Sequence, residues 1–208
     1  SSMLSQLNSN QIINNFFLLS LKNKYKVNNL KNWIPFHKEY IQSLTNNKVI
    51  GMGHSIGGNI ILRSALSHPN YFSKLILLDP TLFVPKIIFM WKLVAFLNLQ
   101  KKFHPWISST LNRKMIYSNF EELFFSYRKK KVFSKIDDTN LNIYIKSITK
   151  KNEDGTIYIN YPKEWEYQIY KTGLIVDNFI WKNIKNLKIP TLILRAEHSN
   201  AFIESSAK

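Results

Sequence analysis

Short apolar runs alternate with helical patterns along the first part of the chain. Phe16 to Leu21 (FFLLSL) has strand length, and Leu30 to Leu44 sets Trp33, Phe36, Tyr40, Ile41 and Leu44 at helical spacing until Asn46-Asn47 breaks it. Lys48 to Gly53 (KVIGMG) reads as a short buried strand. Ile56 to Leu66 reads as a helix that stops ahead of His68-Pro69-Asn70, and Lys74 to Leu78 (KLILL) as another all-apolar strand, closed by Asp79-Pro80. Strands that are apolar at every position and alternate with helices predict a parallel α/β sheet buried on both faces.

After Pro80 the pattern changes. Residues 81–187 are rich in Trp, Phe, Tyr and Lys, carry mostly helical periodicity, and show a turn at Asn152-Glu153-Asp154-Gly155. Lys188 to Arg195 (KIPTLILR) then restores the buried-strand pattern. The predicted organisation is an α/β core, residues 1–80 and 188–208, interrupted by a helical insertion of residues 81–187 large enough to own a core. Most aromatic residues of the insertion are expected to pack inside it. Its apolar stretch Val84 to Leu97 is read as core, in preference to the interfacial helix that its flanking lysines would also allow.

Composition narrows the function classes. The chain has 208 residues, 45% of them hydrophobic, and no Cys. Disulfide frameworks, thiolate zinc sites and a cysteine nucleophile are excluded, a reducing compartment is allowed, and a cytoplasmic setting is expected. No transmembrane segment is predicted, because the most hydrophobic window, Phe83 to Leu97, is broken by Lys86 and Lys92. A net charge of +16 invites nucleic acid. Yet among 29 basic residues only Arg63, Arg113, Arg128 and Arg195 are arginine, and the lysines are scattered among Asn and Ile. The dense run Arg128 to Lys131 lacks interleaved aromatics, so no specific nucleic-acid partner is predicted.

The chemistry concentrates in eight residues. Gly51, Gly53, Gly57 and Gly58, four of the six glycines, surround one serine in Gly51-Met52-Gly53-His54-Ser55-Ile56-Gly57-Gly58. Gly53-x-Ser55-x-Gly57 between a predicted strand and a predicted helix fits a nucleophile elbow. A serine lifted onto so sharp a turn needs neighbours without side chains, and its hydroxyl then faces the cleft at the C-terminal edge of the sheet. The Ile56 amide and the helix dipole are placed to stabilise a developing oxyanion. The bland alternative, Ser55 as a helix cap, would not need four glycines. The same cluster lacks the Gly-Lys-Ser/Thr ending of a phosphate loop, and no metal or cofactor motif is present.

With these pieces in place, the sequence resembles the α/β-hydrolase superfamily, in its serine esterase, lipase and lysophospholipase-like branch with a helical cap. The resemblance rests on Val49 to Gly58 (VIGMGHSIGG), Ser67 to Phe72 (SHPNYF), Lys74 to Pro80 (KLILLDP) and Lys188 to Asn200 (KIPTLILRAEHSN). It implies a nucleophile at Ser55, a Gly53, His54, Gly57 and Gly58 elbow, an oxyanion donor at the Ile56 amide, and an acyl-enzyme. Aromatic residues of the insertion that are not in its core are expected to line the cleft, so a small ester with an apolar acyl or alkyl part is the expected substrate, without a cofactor.

The resemblance also implies an acid and a histidine. The turn that should carry the acid is Ala196-Glu197-His198-Ser199-Asn200, and Ser199 and Asn200 offer no carboxylate. Asp79, at the end of the preceding core strand, is the candidate acid, with a strand-end cap as its structural alternative and Glu197 as a weaker third choice. His37, His54, His68, His104 and His198 all fit the general base poorly. The expectation is therefore of an incomplete α/β hydrolase, lacking N-terminal strands and a C-terminal histidine segment, whose intact form hydrolyses esters. A non-catalytic lipid or small-molecule binding protein on the same fold is the alternative. The oligomeric state is left open.

Overall fold

The computed structural model describes residues 46–207, which form two compact units: Pro105–Tyr167 is one, and the residues on either side form the other. The strand expected at 16–21 and the helix expected at 30–44 lie outside the described residues.

Before the break, the first unit contributes β1 (Val49–His54), α1 (Ile56–Ser67), β2 (Phe72–Leu78) and α2 (Pro85–Phe96). The second contains α3 (Pro105–Leu111), β3 (Ile116–Tyr117), α4 (Phe120–Arg128), α5 (Asp138–Ile148), β4 (Thr149–Lys151) and β5 (Ile157–Ile159). Helix α6 (Lys163–Thr172) runs across the boundary, and α7 (Asn178–Asn183) and β6 (Thr191–Leu194) complete the first unit with a terminal helical turn.

In the first unit the sheet is parallel in the order β1-β2-β6. His54 pairs with Leu78 and Leu78 with Leu194, so the strands end level. Ser55, Asp79 and Arg195 therefore leave the sheet side by side at its C-terminal edge, where open α/β sheets place their ligands. Leu62 and Ala65 of α1, Leu75 and Leu77 of β2, and Ile180 of α7 share one core with Leu82 and Phe202.

The sequence expects strands buried on both faces, and the described residues show packing on one. Leu75 and Leu77 are buried against α1, whereas Ile50, Leu192 and Leu194, which share the opposite face, are each about half exposed. Helix α2 departs from expectation in the same way. Ile88 and Trp91 are buried, but Phe89 (71% exposed), Phe96 (82%), Met90, Leu93 and Leu97 stay open. Core packing thus holds for one side of α2 only. Among the described residues no helix is long and apolar enough to cross a membrane.

The second unit is not purely helical. Its three short strands form an antiparallel sheet in the order β3-β5-β4, and the expected turn at Asn152 to Gly155 joins β4 to β5. Its core is its own, built from Tyr117, Leu123, Tyr127, Leu141, Ile145 and Ile159. The N-terminus of α4 is closed by Asn119, whose side chain accepts from the Glu122 N–H at 2.9 Å, while the Glu122 carboxylate accepts from the Ser118 N–H at 2.8 Å.

Candidate active site

Strand β1 hands the chain to α1 through Ser55 alone. Ser55 has φ 52° and ψ −122°, a backbone conformation that only glycine adopts without strain. Hydrogen bonds hold the turn: the Ser55 N–H donates to the Leu78 carbonyl at 2.9 Å, and the Ser55 carbonyl accepts from the N–H groups of Thr81 (3.0 Å) and Asn59 (3.3 Å).

The flanking glycines are required by contact. A Cβ on Gly53 would sit 2.5 Å from the carbonyl carbon and oxygen of Gly57 and 2.7 Å from the Gly58 nitrogen. One on Gly58 would meet the Pro80 Cβ at 2.9 Å and the Gly53 oxygen at 3.1 Å. Strand, helix and the segment after β2 therefore converge on the serine with no space for side chains at these two positions.

The Ser55 side chain makes no capping bond to α1. Its hydroxyl lies 3.2 Å from the Thr81 hydroxyl. Ile56 opens α1, and its N–H is one of the four that a helix N-terminus leaves without an intrahelical acceptor. His54 is exposed beside it.

Asp79 follows β2 with φ 44° and uses both carboxylate oxygens on the turn after β6. The Ala196 N–H donates to Oδ1 at 3.1 Å, and the Ser199 hydroxyl donates to Oδ2 at 2.9 Å while accepting from the N–H groups of Ala201 and Phe202. The Asp79 carboxylate is thus held on the turn that the family resemblance assigns to the acid. Among the described residues it joins neither Asp79 nor a histidine to Ser55 by a hydrogen bond. Glu197 and His198 are both 88% exposed. His104 packs between Trp91 and Tyr170, and burial lowers its basicity. His37 lies outside the described residues.

Three side chains behind the elbow escaped sequence reasoning. Asn59 and Arg63 on α1 meet Asp177 at the start of α7, all buried. Burial pushes the Asp177 carboxyl up to about 7, against the lowering effect of the Asn59 hydrogen bond and the Arg63 charge. The same burial lowers the Arg63 guanidinium from its ordinary value, against the Asp177 charge. A lone Asp in LIVDNF gives no sign in sequence that it will be enclosed.

Comparisons with known proteins agree on the fold. The family model described as serine aminopeptidase, S33, matches residues 27–205. Among solved structures, E-2-(acetamidomethylene)succinate hydrolase matches with a TM-score of 0.65 at 16% identity, over 86% of this chain and 59% of that one. Peroxisomal alpha-beta-hydrolase Lpx1 from Saccharomyces cerevisiae matches at 0.60 and 18%, over 86% and 47%. An esterase of M. tuberculosis matches at 0.60 and 15%, over 86% and 55%. The chain thus spans about half to three-fifths of the length of these structures. No curated protein matches it.

Proposed function

The chain belongs to the α/β-hydrolase family described as serine aminopeptidase, S33, and on that premise we propose that the protein carrying it is a serine hydrolase acting on carboxylic esters. The observation that carries the reading is Ser55, held at φ 52° with its hydroxyl free of any capping duty at the C-terminal edge of a parallel sheet. Such strain is kept where chemistry uses it.

The reaction follows from the placement. Ser55 Oγ adds to the ester carbonyl as its proton passes to a general base, and the oxyanion so formed takes a hydrogen bond from the Ile56 N–H with help from the α1 dipole. Collapse expels the alcohol, which takes up a proton, and leaves an acyl group on Ser55 that water removes. Asp79 serves as the acid that orients the base, in place of the carboxylate missing at Ser199 and Asn200. The apolar residues of 81–187, acting as a cap, favour esters with an apolar acyl or alkyl part.

The test is fluorophosphonate labelling of the complete reading frame. Wild-type protein is expected to label, Ser55→Ala to lose the label, and Asp79→Asn to slow it by roughly 100-fold or more. Protein that binds lipid but stays unlabelled would replace this reading with the binding-protein alternative. The family description names a peptidase, and an amide enters the same cycle with an amine as leaving group. Turnover of p-nitrophenyl esters against aminoacyl p-nitroanilides separates the two substrate classes.

A further inference from the structure

Three buried polar side chains of the first unit that this reaction leaves unused, Asn59, Arg63 and Asp177, form one connected set. Asn59 lies one turn into α1 from Ser55 and is 1% exposed. Its Nδ2 donates to the Thr81 carbonyl at 2.7 Å and to Asp177 Oδ1 at 2.8 Å, so both amide hydrogens face an acceptor. Among the described residues, Asn59 Oδ1 is buried without a hydrogen-bond partner. Arg63, one turn further along α1, brings Nη1 to 3.6 Å from Asp177 Oδ1 and stacks its guanidinium over the Phe179 ring at 5.3 Å. Trp181 on α7 donates Nε1 to the Phe83 carbonyl at 2.6 Å.

Stability is a weak reason for this set to exist. A buried ion pair recovers its desolvation cost poorly, and apolar residues of similar volume are commonly as stable or more so. The shifts of Asp177 and Arg63, each toward its neutral form, have burial as their first cause. Position is what the set secures. Thr81 is held at both ends of its backbone: its N–H donates to the Ser55 carbonyl, and its carbonyl accepts from Asn59, which Asp177 anchors in turn. Its hydroxyl lies beside Ser55 Oγ.

We propose that Asn59 and Asp177 are positioning residues for Ser55, clamping Thr81 against the elbow so that the serine hydroxyl keeps its attacking geometry. The inference rests on the reading of Ser55 as nucleophile. It gives a use to the buried amide that stands one turn behind the strained residue. Neither Asn59 nor Asp177 touches substrate in this account; both act through Thr81.

The measurement is the fluorophosphonate reaction of the complete reading frame, resolved into the maximal inactivation rate and the half-saturating probe concentration. Asn59→Ala and Asp177→Ala are expected to lower the maximal rate by about 10- to 100-fold, with half-saturation changed by less than about 3-fold, as misaimed attack predicts. Asp177→Asn keeps an acceptor for Asn59 and should restore most of the lost rate. Combining Asn59→Ala with Asp177→Ala should cost no more than Asn59→Ala alone, because the two act in series. Asn59→Leu fills the same space without the donors, and keeps the test decisive where an alanine variant does not fold. A folded Asn59→Leu protein that labels at the wild-type rate, with Ser55→Ala unlabelled, overturns the positioning role and leaves the nucleophile in place. Wild-type protein that never labels overturns the nucleophile reading, and this inference with it.

Discussion

Gly53 and Gly58 lie where two backbones meet at less than van der Waals separation from any added carbon, and this makes them the least replaceable residues of the elbow. Gly53→Ala is expected to destabilise the chain by about 3 kcal/mol, since the Gly57 peptide must shift to admit the methyl group. A denaturant melt checks this. Asp177 gives a pH signature at the same scale. Its folded carboxyl, pushed up to about 7, stands well above the ordinary range of about 4 in an unfolded chain. The folded protein therefore holds this proton more tightly than the unfolded one between those values. The site's contribution is most favourable below about pH 4 and declines until about pH 7, a loss on the order of a few kcal/mol. Thermal melts across that range should fall less steeply for Asp177→Asn than for wild type. None of this was legible in the sequence, whereas the elbow was. Four glycines in eight residues announce crowding by themselves, but the burial of Asp177 depends on α1 and α7, which are more than a hundred residues apart in the chain.

At the scale of elements, local rules explain what sequence reading found and what it overlooked. The strands of the first unit are apolar runs ended by turn residues; β1, α1 and β2 fall within two residues of their expected limits, and β6 begins three residues inside the expected Lys188 to Arg195. Strands β3, β4 and β5 are two or three residues long, and β4 is Thr149-Lys150-Lys151, so no alternation had room to develop. Their sheet is set by the hairpin turn and by pairing to a distant segment. Helix α4 offers a direct check on its own start: Asn119→Ala removes the cap on Glu122 N–H and is expected to cost about 1 kcal/mol, read as a lower melting temperature. Helix α2 offers another. Its open face, with Phe89 and Phe96 the most exposed, is an apolar patch of the kind that takes up hydrophobic dyes. Replacing both by Ser should reduce anilinonaphthalene sulfonate fluorescence while leaving the melting temperature nearly unchanged.

At the scale of the whole chain, the described residues hold two separate cores, one in each unit. Leu141, fully buried in the second unit, shares its cluster with residues of that unit only, as Leu75 and Leu77 do in the first. Leu141→Ala is expected to cost about 2–5 kcal/mol within residues 105–167. Hydrogen exchange should quicken in α4, α5 and β5 and stay slow in β1 and β2, a division that uniform acceleration would contradict. The backbone of Ser55 also bears on how such a chain changes over generations. A lineage that no longer used the hydroxyl would find glycine at position 55 the easier residue, relieving about 1–3 kcal/mol of strain with a single codon change. Drift alone would then erase the serine, and a loss of stability would not be there to oppose it.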